Sequence, residues 1–207
     1  IRTPLSMVMG YASELESNPS LPATEQNQAR IIRQQSQRIK SLISDLNLAS
    51  KLEYHAQPME LDRVSPAALI RGIAVDFINE GLTTPYSLAI DATEEANGPI
   101  LLCDQALIRR ALTNLIDNSI RHNPRGCAIK LSVTKSTDGL VLKVSDNGKG
   151  YPPELIKNSG GLDESPLLGN HGLGLIIVRR IMKIHGGNIV FENLPQQGCA
   201  TSLLFST

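Results

Sequence analysis

From Thr24 to Tyr54 the chain contains neither glycine nor proline, and Ile32, Ile39 and Leu46 recur every seven residues. On a helix such a repeat draws one apolar stripe, and that stripe is buried only by packing against another helix. Leu42 and Ala49 fall on the second position of the stripe, while Gln35 interrupts it. Thr24 is expected to cap this helix. Upstream, Pro4 to Glu16 carries Gly10 as its one glycine and reads as a shorter helix that tolerates Pro4 in its first turn. The breaker cluster Ser17-Asn18-Pro19-Ser20-Leu21-Pro22 separates the two. Two helices joined by a short loop make an antiparallel hairpin. One hairpin cannot bury both apolar faces, but two packed as a four-helix bundle can. The expectation is therefore a homodimer held through this segment.

After Pro58 the periodicity changes. Ser65-Pro66 is an N-cap followed by proline at the first helical position, opening a helix to about Glu80. Ile100 to Cys103 reads as a short strand and Asp104 to His122 as an amphipathic helix. Ile129, Leu131 and Val133 alternate with Lys130, Ser132 and Thr134, the pattern of a half-buried strand. Asp138-Gly139 is a turn, and Leu140 to Ser145 returns from it. A helix from Gly172 to His185 and strands at Asn188–Glu192 and Thr201–Phe205 complete the segment. The fold class implied is α+β: a helical hairpin over residues 1–56, then an α/β sandwich over residues 57–207.

Composition removes several classes of function. With 41% hydrophobic and 19% charged residues, the 207-residue chain can build a packed core. Its longest apolar runs are short, such as Leu175 to Val178, far below the roughly 20 residues of a membrane span. Formal net charge is +0, and the chain has no tryptophan, which argues against a nucleic-acid binder driven by electrostatics and base stacking. Cys103, Cys127 and Cys199 lack metal-ligand spacing and are expected to be reduced, buried thiols. The first residue is Ile1, not Met, so the chain is expected to be a piece of something longer.

Three constellations carry chemistry. Asn114, Asn118 and Arg121 lie at i, i+4 and i+7, and so share one helical face, with Leu112, Leu115, Ile116 and Ile120 on the other. Two amides and a cation on one stripe suit a hard cation and phosphate, an amide oxygen being a ligand acceptable to Mg²⁺; taken alone, the stripe reads more readily as a solvated face. Asp146-Asn147-Gly148-Lys149-Gly150 follows a strand. Gly148 and Gly150 allow close approach of a ligand to the backbone, and the Asp146 carboxylate can accept from an exocyclic amine of adenine, where guanine presents a carbonyl oxygen. Taken singly, this is also a tight surface turn. Gly169-Asn170-His171-Gly172-Leu173-Gly174-Leu175 opens a helix whose N-terminal amides favour phosphate. The stretch before it, Asn158 to Gly169, has the composition of a mobile lid.

In this order the three resemble the histidine-kinase members of the ATPase superfamily that includes gyrase, Hsp90 and MutL. Asn114-Leu-Ile-Asp-Asn118-Ser-Ile-Arg-His122 resembles the N box, Asp146-x-Gly148-x-Gly150 the G1 box and Gly172-Leu-Gly174-Leu the G2 box. His185-Gly-Gly-Asn-Ile and Gly198-Cys-Ala-Thr201 sit where the family has comparable segments. The resemblance covers essentially the whole chain. It implies Mg²⁺ on Asn118, adenine on Asp146, and ATP held among Asn114, Asn118, Arg121, His122, Asp146, Gly148, Gly150, His171, Gly172, Leu173 and Gly174. Arg121 stands where a lysine is common, and Tyr151-Pro-Pro-Glu-Leu-Ile lacks the usual phenylalanine pair of the F box. Ile1-Arg2-Thr3-Pro4-Leu5 resembles the end of the family's H box, which implies an acceptor histidine two positions before Ile1. Thr3 matches a position that helps orient water for dephosphorylation of the partner.

The resemblance thus implies an ATP-dependent protein-histidine kinase that passes its phosphoryl group to a response-regulator aspartate, with a regulator-phosphatase mode. It implies a cytoplasmic domain whose parent is anchored in a bacterial membrane through segments upstream. A gyrase- or Hsp90-like hydrolase carries a glutamate four residues before the metal-binding asparagine; here that position is Asn114, and a carboxamide is no base. A nucleotide-binding pseudokinase that serves as a docking scaffold is the non-enzymatic alternative, compatible with the altered F box.

Overall fold

The computed structural model describes residues 2–53, 59–92, 100–136, 139–157 and 172–206. The chain divides into two compact units, Ile1–Ser50 and Lys51–Thr207. The first is a hairpin of α1 (Arg2–Ser17) and α2, which runs over Ala23–Glu53. Its loop is tied by side chains: Gln26 Nε2 donates to the Asn18 carbonyl at 2.8 Å and to that of Leu21 at 3.1 Å, and Asn18 Oδ1 accepts from the Ser20 amide at 2.9 Å. Thr24 does not cap α2. The Glu25 and Gln26 amides both reach the Pro22 carbonyl at 3.1 Å, so the helix starts before Thr24. Arg33 grips Glu16 across the hairpin with Nε–Oε2 at 2.6 Å and Nη2–Oε1 at 3.3 Å. That hydrogen bond holds the Glu16 carboxyl below its usual range. An exposed pair of this kind adds little stability, but its forked geometry fixes which turns face each other.

Small side chains, Ala12, Ala29 and Ser36, are buried within the hairpin unit. The heptad residues are not: Ile32 and Ile39 are each 48% exposed, Leu42 44% and Leu46 62%. Ala49 on the same repeat is buried. On α1, Met7, Val8, Tyr11 and Leu15 also stand open. The heptad stripe thus lies on the outside of the hairpin, as an apolar surface with no cover within the described residues.

The second unit is built on a five-stranded sheet of order β2-β4-β5-β7-β6, comprising β2 (Ser87–Ala92), β4 (Ala128–Ser136), β5 (Gly139–Asp146), β6 (Asn188–Asn193) and β7 (Cys199–Ser206). The β2–β4 pair is parallel and the other three are antiparallel. A separate two-stranded ribbon pairs β1 (Asp62–Val64) with β3 (Leu101–Cys103). Ile129, Leu131, Val133, Leu142 and Val144 are buried on one face of the large sheet, as the alternation required. Onto it pack α3 (Pro66–Asn79), α4 (Gln105–His122) and α6 (Gly172–Ile184). Short α5 (Pro153–Lys157), β1 and β2 have no counterpart in the sequence reading. The first two are too brief to show a period, and β2 is half to fully exposed, so its apolar alternation is weak.

The Ser65 cap is as expected, and Asp104, read as the first residue of its helix, is the N-cap of α4. Ser65 Oγ accepts from the Ala68 amide at 3.4 Å, and Asp104 Oδ1 from the Leu107 amide at 3.1 Å. His185 links α6 to the start of α4: its Nε2 accepts from the Asp104 amide at 3.1 Å while Nδ1 donates to the Ile181 carbonyl at 2.7 Å. The Asp138 half of the expected turn lies outside the described residues. Gly139 has φ +144, and a Cβ there would sit 1.9 Å from the Phe205 carbonyl oxygen, so the β5–β7 pairing needs glycine. All three cysteines are free and buried. Burial pushes the Cys103 thiol up to about 11 and that of Cys199 to about 12.

Gly10 sits in mid-helix with nothing within 4 Å of where a Cβ would stand. Gly10→Ala should therefore stabilise the hairpin by about 1 kcal/mol through lower unfolded-state entropy. Chemical denaturation of the two proteins side by side checks this; a destabilised Ala variant would show that the position is covered.

Candidate functional site

Asp146 closes β5 and is 5% exposed. Sheet register sets it opposite Ile129 on one side and Cys199 on the other. Its Oδ1 accepts from the Gly148 amide at 2.8 Å. Its Oδ2 accepts from Ser119 Oγ at 2.7 Å and from Cys199 Sγ at 3.4 Å. A carboxylate has about four acceptor positions, so among the described residues one remains, on Oδ1. The turn after Asp146 is stitched to the end of α4 by Asn123, whose Oδ1 accepts from the Lys149 amide at 3.1 Å and whose Nδ2 donates to the Ser119 carbonyl at 2.8 Å. Gly148 packs directly on that carboxamide: a Cβ there would lie 2.1 Å from Asn123 Oδ1. Gly150 has φ +83, the left-handed region that favours glycine.

Tyr151 anchors the far side of this turn. Its amide donates to Asn193 Oδ1 at 2.6 Å and its carbonyl accepts from Asn193 Nδ2 at 3.0 Å. Its hydroxyl pairs with Thr201 Oγ1 at 2.6 Å, and its ring meets Phe191 edge-on at 5.5 Å. Burial raises the phenol above its ordinary value. Tyr151 thus takes a packing place at the start of the altered F-box segment.

The stripe on α4 is not a solvated face. Asn114 is 6% exposed and Asn118 half-buried, and Nδ2 of each is buried with no partner among the described residues. Both carboxamides lie against Gly174 of α6, 3.8 Å from where its Cβ would stand. Two orphaned donors on one wall are costly without a ligand. Arg121 is exposed and donates from Nη2 to Asn118 Oδ1 at 3.2 Å. Leu112, Leu115 and Ile116 are buried as expected, but Ile120 is only half-buried, its carbonyl accepting from Tyr86 Oη at 3.5 Å. His122 is exposed at the helix end. Gly172 begins α6, and Leu173 and Gly174 follow half-buried in its first turn. His171 and the expected lid, Asn158 to Gly169, lie outside the described residues. Thr3 is exposed on α1.

No group of three or more His, Cys, Asp or Glu gathers to hold a metal among the described residues. A hard cation here would rest on the Asn118 carboxamide oxygen and draw its other ligands from water and phosphate, which fits Mg²⁺, an ion that keeps several waters. The sequence reading missed Ser119, Asn123 and Asn193. Their polar types inside the N box, just after its last histidine and at the end of β6 were visible, but only the turn's path shows what they hold.

Comparison with known proteins agrees with this geometry. Residues 103–206 match the model of the histidine kinase-, DNA gyrase B- and HSP90-like ATPase family, and residues 1–55 that of the His Kinase A (phospho-acceptor) domain. The sensor histidine kinase YvrG of Bacillus subtilis is 30% identical over 212 residues, 99% of this chain and 36% of the relative. The chain thus spans about a third of that curated relative's length. Among solved structures, full-length ShkA in complex with AMPPNP superposes with a TM-score of 0.72 at 23% identity, covering 100% of this chain and 44% of that one. Histidine kinase ThkA in complex with the response regulator TrrA gives 0.67 at 21% identity, covering 99% and 58%. By the family matches, which together take in both helical hairpin and sheet, this chain is a member of the histidine kinase-, DNA gyrase B- and HSP90-like ATPase family, joined to a His Kinase A domain.

Proposed function

We propose that the chain is the catalytic part of a two-component sensor histidine kinase, with dimerisation and phosphotransfer in residues 1–56 and Mg·ATP binding in residues 57–207. One observation carries the reading. Among the described residues, the buried Asp146 carboxylate keeps one acceptor position open, and the same α4 that holds it through Ser119 presents two orphaned carboxamide donors, Asn114 and Asn118. An adenine amine satisfies the first, and the polyphosphate with its cation engages the second wall. Mg²⁺ held by Asn118 would supply charge neutralisation at the phosphates. Arg121 adds positive charge beside it, and the first turn of α6 adds its amides. Asn114 cannot serve as a base for water, which favours transfer to a side chain over hydrolysis.

The acceptor imidazole is proposed to lie two positions before Ile1, as the Arg2-Thr3-Pro4-Leu5 motif implies, and Thr3 to act in a regulator-phosphatase mode. Both ring nitrogens of His185 are engaged within the fold, which makes it a poor acceptor. The partner is a response-regulator receiver domain, as in the ThkA–TrrA complex. The parent protein is proposed to sit at a bacterial membrane, as expected of a sensor kinase, with this part in the cytoplasm.

ATP should bind in preference to GTP, and Asp146→Asn should weaken ATP about tenfold or more, the loss of a charge-assisted hydrogen bond. Calorimetric titration checks this; equal affinity for the two nucleotides sinks the adenine assignment.

The open stripe of Ile32, Ile39, Leu42 and Leu46 is proposed to be the dimer seam. Light scattering should report a dimer, and Ile39→Asp with Leu46→Asp should return monomers. A wild-type monomer at micromolar concentration counts against the four-helix bundle.

With radiolabelled ATP the 207-residue chain should bind nucleotide without labelling itself. The chain extended by its natural upstream residues should acquire an acid-labile, base-stable phosphoryl group, and Asn118→Asp should abolish most of that rate. Label on His55, His122, His171 or His185 would overturn the placement of the acceptor. ATP binding with no label on the extended chain would favour the pseudokinase scaffold.

A further inference from the structure

We propose that Ser119 and Cys199 are paired positioning residues for purine selection: together they occupy Asp146 Oδ2 from two sides and leave Oδ1 as the oxygen offered to the base. This rests on the adenine role proposed for Asp146. The two donors come from different elements. Ser119 reaches Oδ2 from α4 at 2.7 Å, and Cys199 reaches it from β7 at 3.4 Å. With the Gly148 amide on Oδ1 at 2.8 Å, the carboxylate cannot rotate about its last bond without breaking a bond to either neighbour.

Each donor is itself held. The Ser119 carbonyl accepts from Asn123 Nδ2 at 2.8 Å and from Cys127 Sγ at 3.7 Å, and Ser119 is 8% exposed. Cys199 stands directly opposite Asp146 in the β5–β7 ladder and is 6% exposed. Directly opposed residues on a ladder have Cβ atoms about 5 Å apart, which is the reach a thiol needs. Gly198 makes the approach possible: it has φ +95, and a Cβ there would lie 1.8 Å from the Asp146 carbonyl oxygen. Burial and the adjacent Asp146 charge keep Cys199 in its S–H form, pushed up to about 12, so at neutral pH it donates to the carboxylate and does not repel it. Neither residue needs to touch the nucleotide. Their effect reaches the base through the carboxylate, so it is felt only by a base that carries an amine for Oδ1.

That distinction supplies the test. The probes are ATP and the triphosphate of purine riboside, which is ATP without its exocyclic amine. The proteins are wild type, Ser119→Ala, Cys199→Ala, Cys199→Ser and the double Ala variant, each checked by thermal denaturation. Wild type should prefer ATP by about tenfold or more. Each Ala variant should lose about fivefold in ATP affinity and the double variant more, while affinity for the amine-free analogue moves less than about twofold. Cys199→Ser, which restores an O–H donor of similar size, should recover the ATP preference and does not depend on an Ala variant folding. An equal loss for both nucleotides would mean that the two side chains merely shape the pocket, and that overturns the inference. Unchanged ATP affinity in the double variant overturns it as well. A wild type that binds the two nucleotides equally defeats the earlier adenine assignment and this inference with it. Wild-type preference that survives in all variants defeats this inference alone.

Discussion

A carboxylate that is nearly closed off from solvent must be compensated on all sides, and in this protein the compensation of Asp146 dictates much of what surrounds it. Stripping the hydration from an ionised carboxyl costs several kcal/mol, so hydrogen-bond donors have to be delivered to it by separate elements. Helix α4 delivers a hydroxyl, β7 a thiol and the following turn an amide. These three can converge only if β5 and β7 pair in one register and α4 crosses the sheet with Ser119 facing it. The glycines at 148 and 198 then follow from crowding. At each a side chain would collide, with Asn123 in one case and with the Asp146 backbone in the other. Arranging three donors around a single acid leaves a rigid group with one acceptor position directed at whatever binds.

The hairpin shows a different economy. Within it, small buried residues and a forked Arg33–Glu16 pair bring the helices together, while the large aliphatic residues of the repeat point away. Burying a leucine or isoleucine side chain is worth about 1.5–3 kcal/mol, so four such residues left in water represent stability that the isolated hairpin forgoes. Natural chains rarely leave a continuous apolar stripe open unless it is covered in the assembly. A match to a phospho-acceptor domain over residues 1–55 agrees with that reading of the stripe.

How much was legible beforehand depended on the range of the interaction. Elements with a strong period and a local start signal, such as α3 with Ser65-Pro66 and β4 with Ile129, Leu131 and Val133, were readable because the signal and the structure involve the same few residues. The motif glycines and Asp146 were readable because a turn after a strand constrains its residue types. The burial of Asn114 was not legible from the α4 stripe taken alone: a polar residue at helical spacing from other polar residues gives no hint that α6 lies on top of it. Thr24 was misjudged as a cap because threonine has the right chemistry, yet the chain turned two residues earlier at Pro22. Ser119, Asn123 and Asn193 act across separations of 27, 26 and 42 residues, and no local pattern announces contacts at that distance.

Asn114 also bears on what the wall is for. A buried carboxamide whose donor has no partner among the described residues is more expensive than an apolar residue of equal size, so its presence calls for a ligand or a partner. Were the wall built for hydrolysis, a carboxylate would be the useful group there, since it can take a proton from water. A carboxamide can orient and donate but takes no proton at neutral pH. On the proposed reading it would hold a polar ligand while offering water no base, and a bound phosphoanhydride would be left for a nucleophile that arrives from elsewhere. A neutral imidazole is such a nucleophile, because its attacking nitrogen already carries a free lone pair and needs no base to expose it. On the proposed reading, an amide in place of an acid at this one helical position favours handing a phosphoryl group on over splitting the nucleotide.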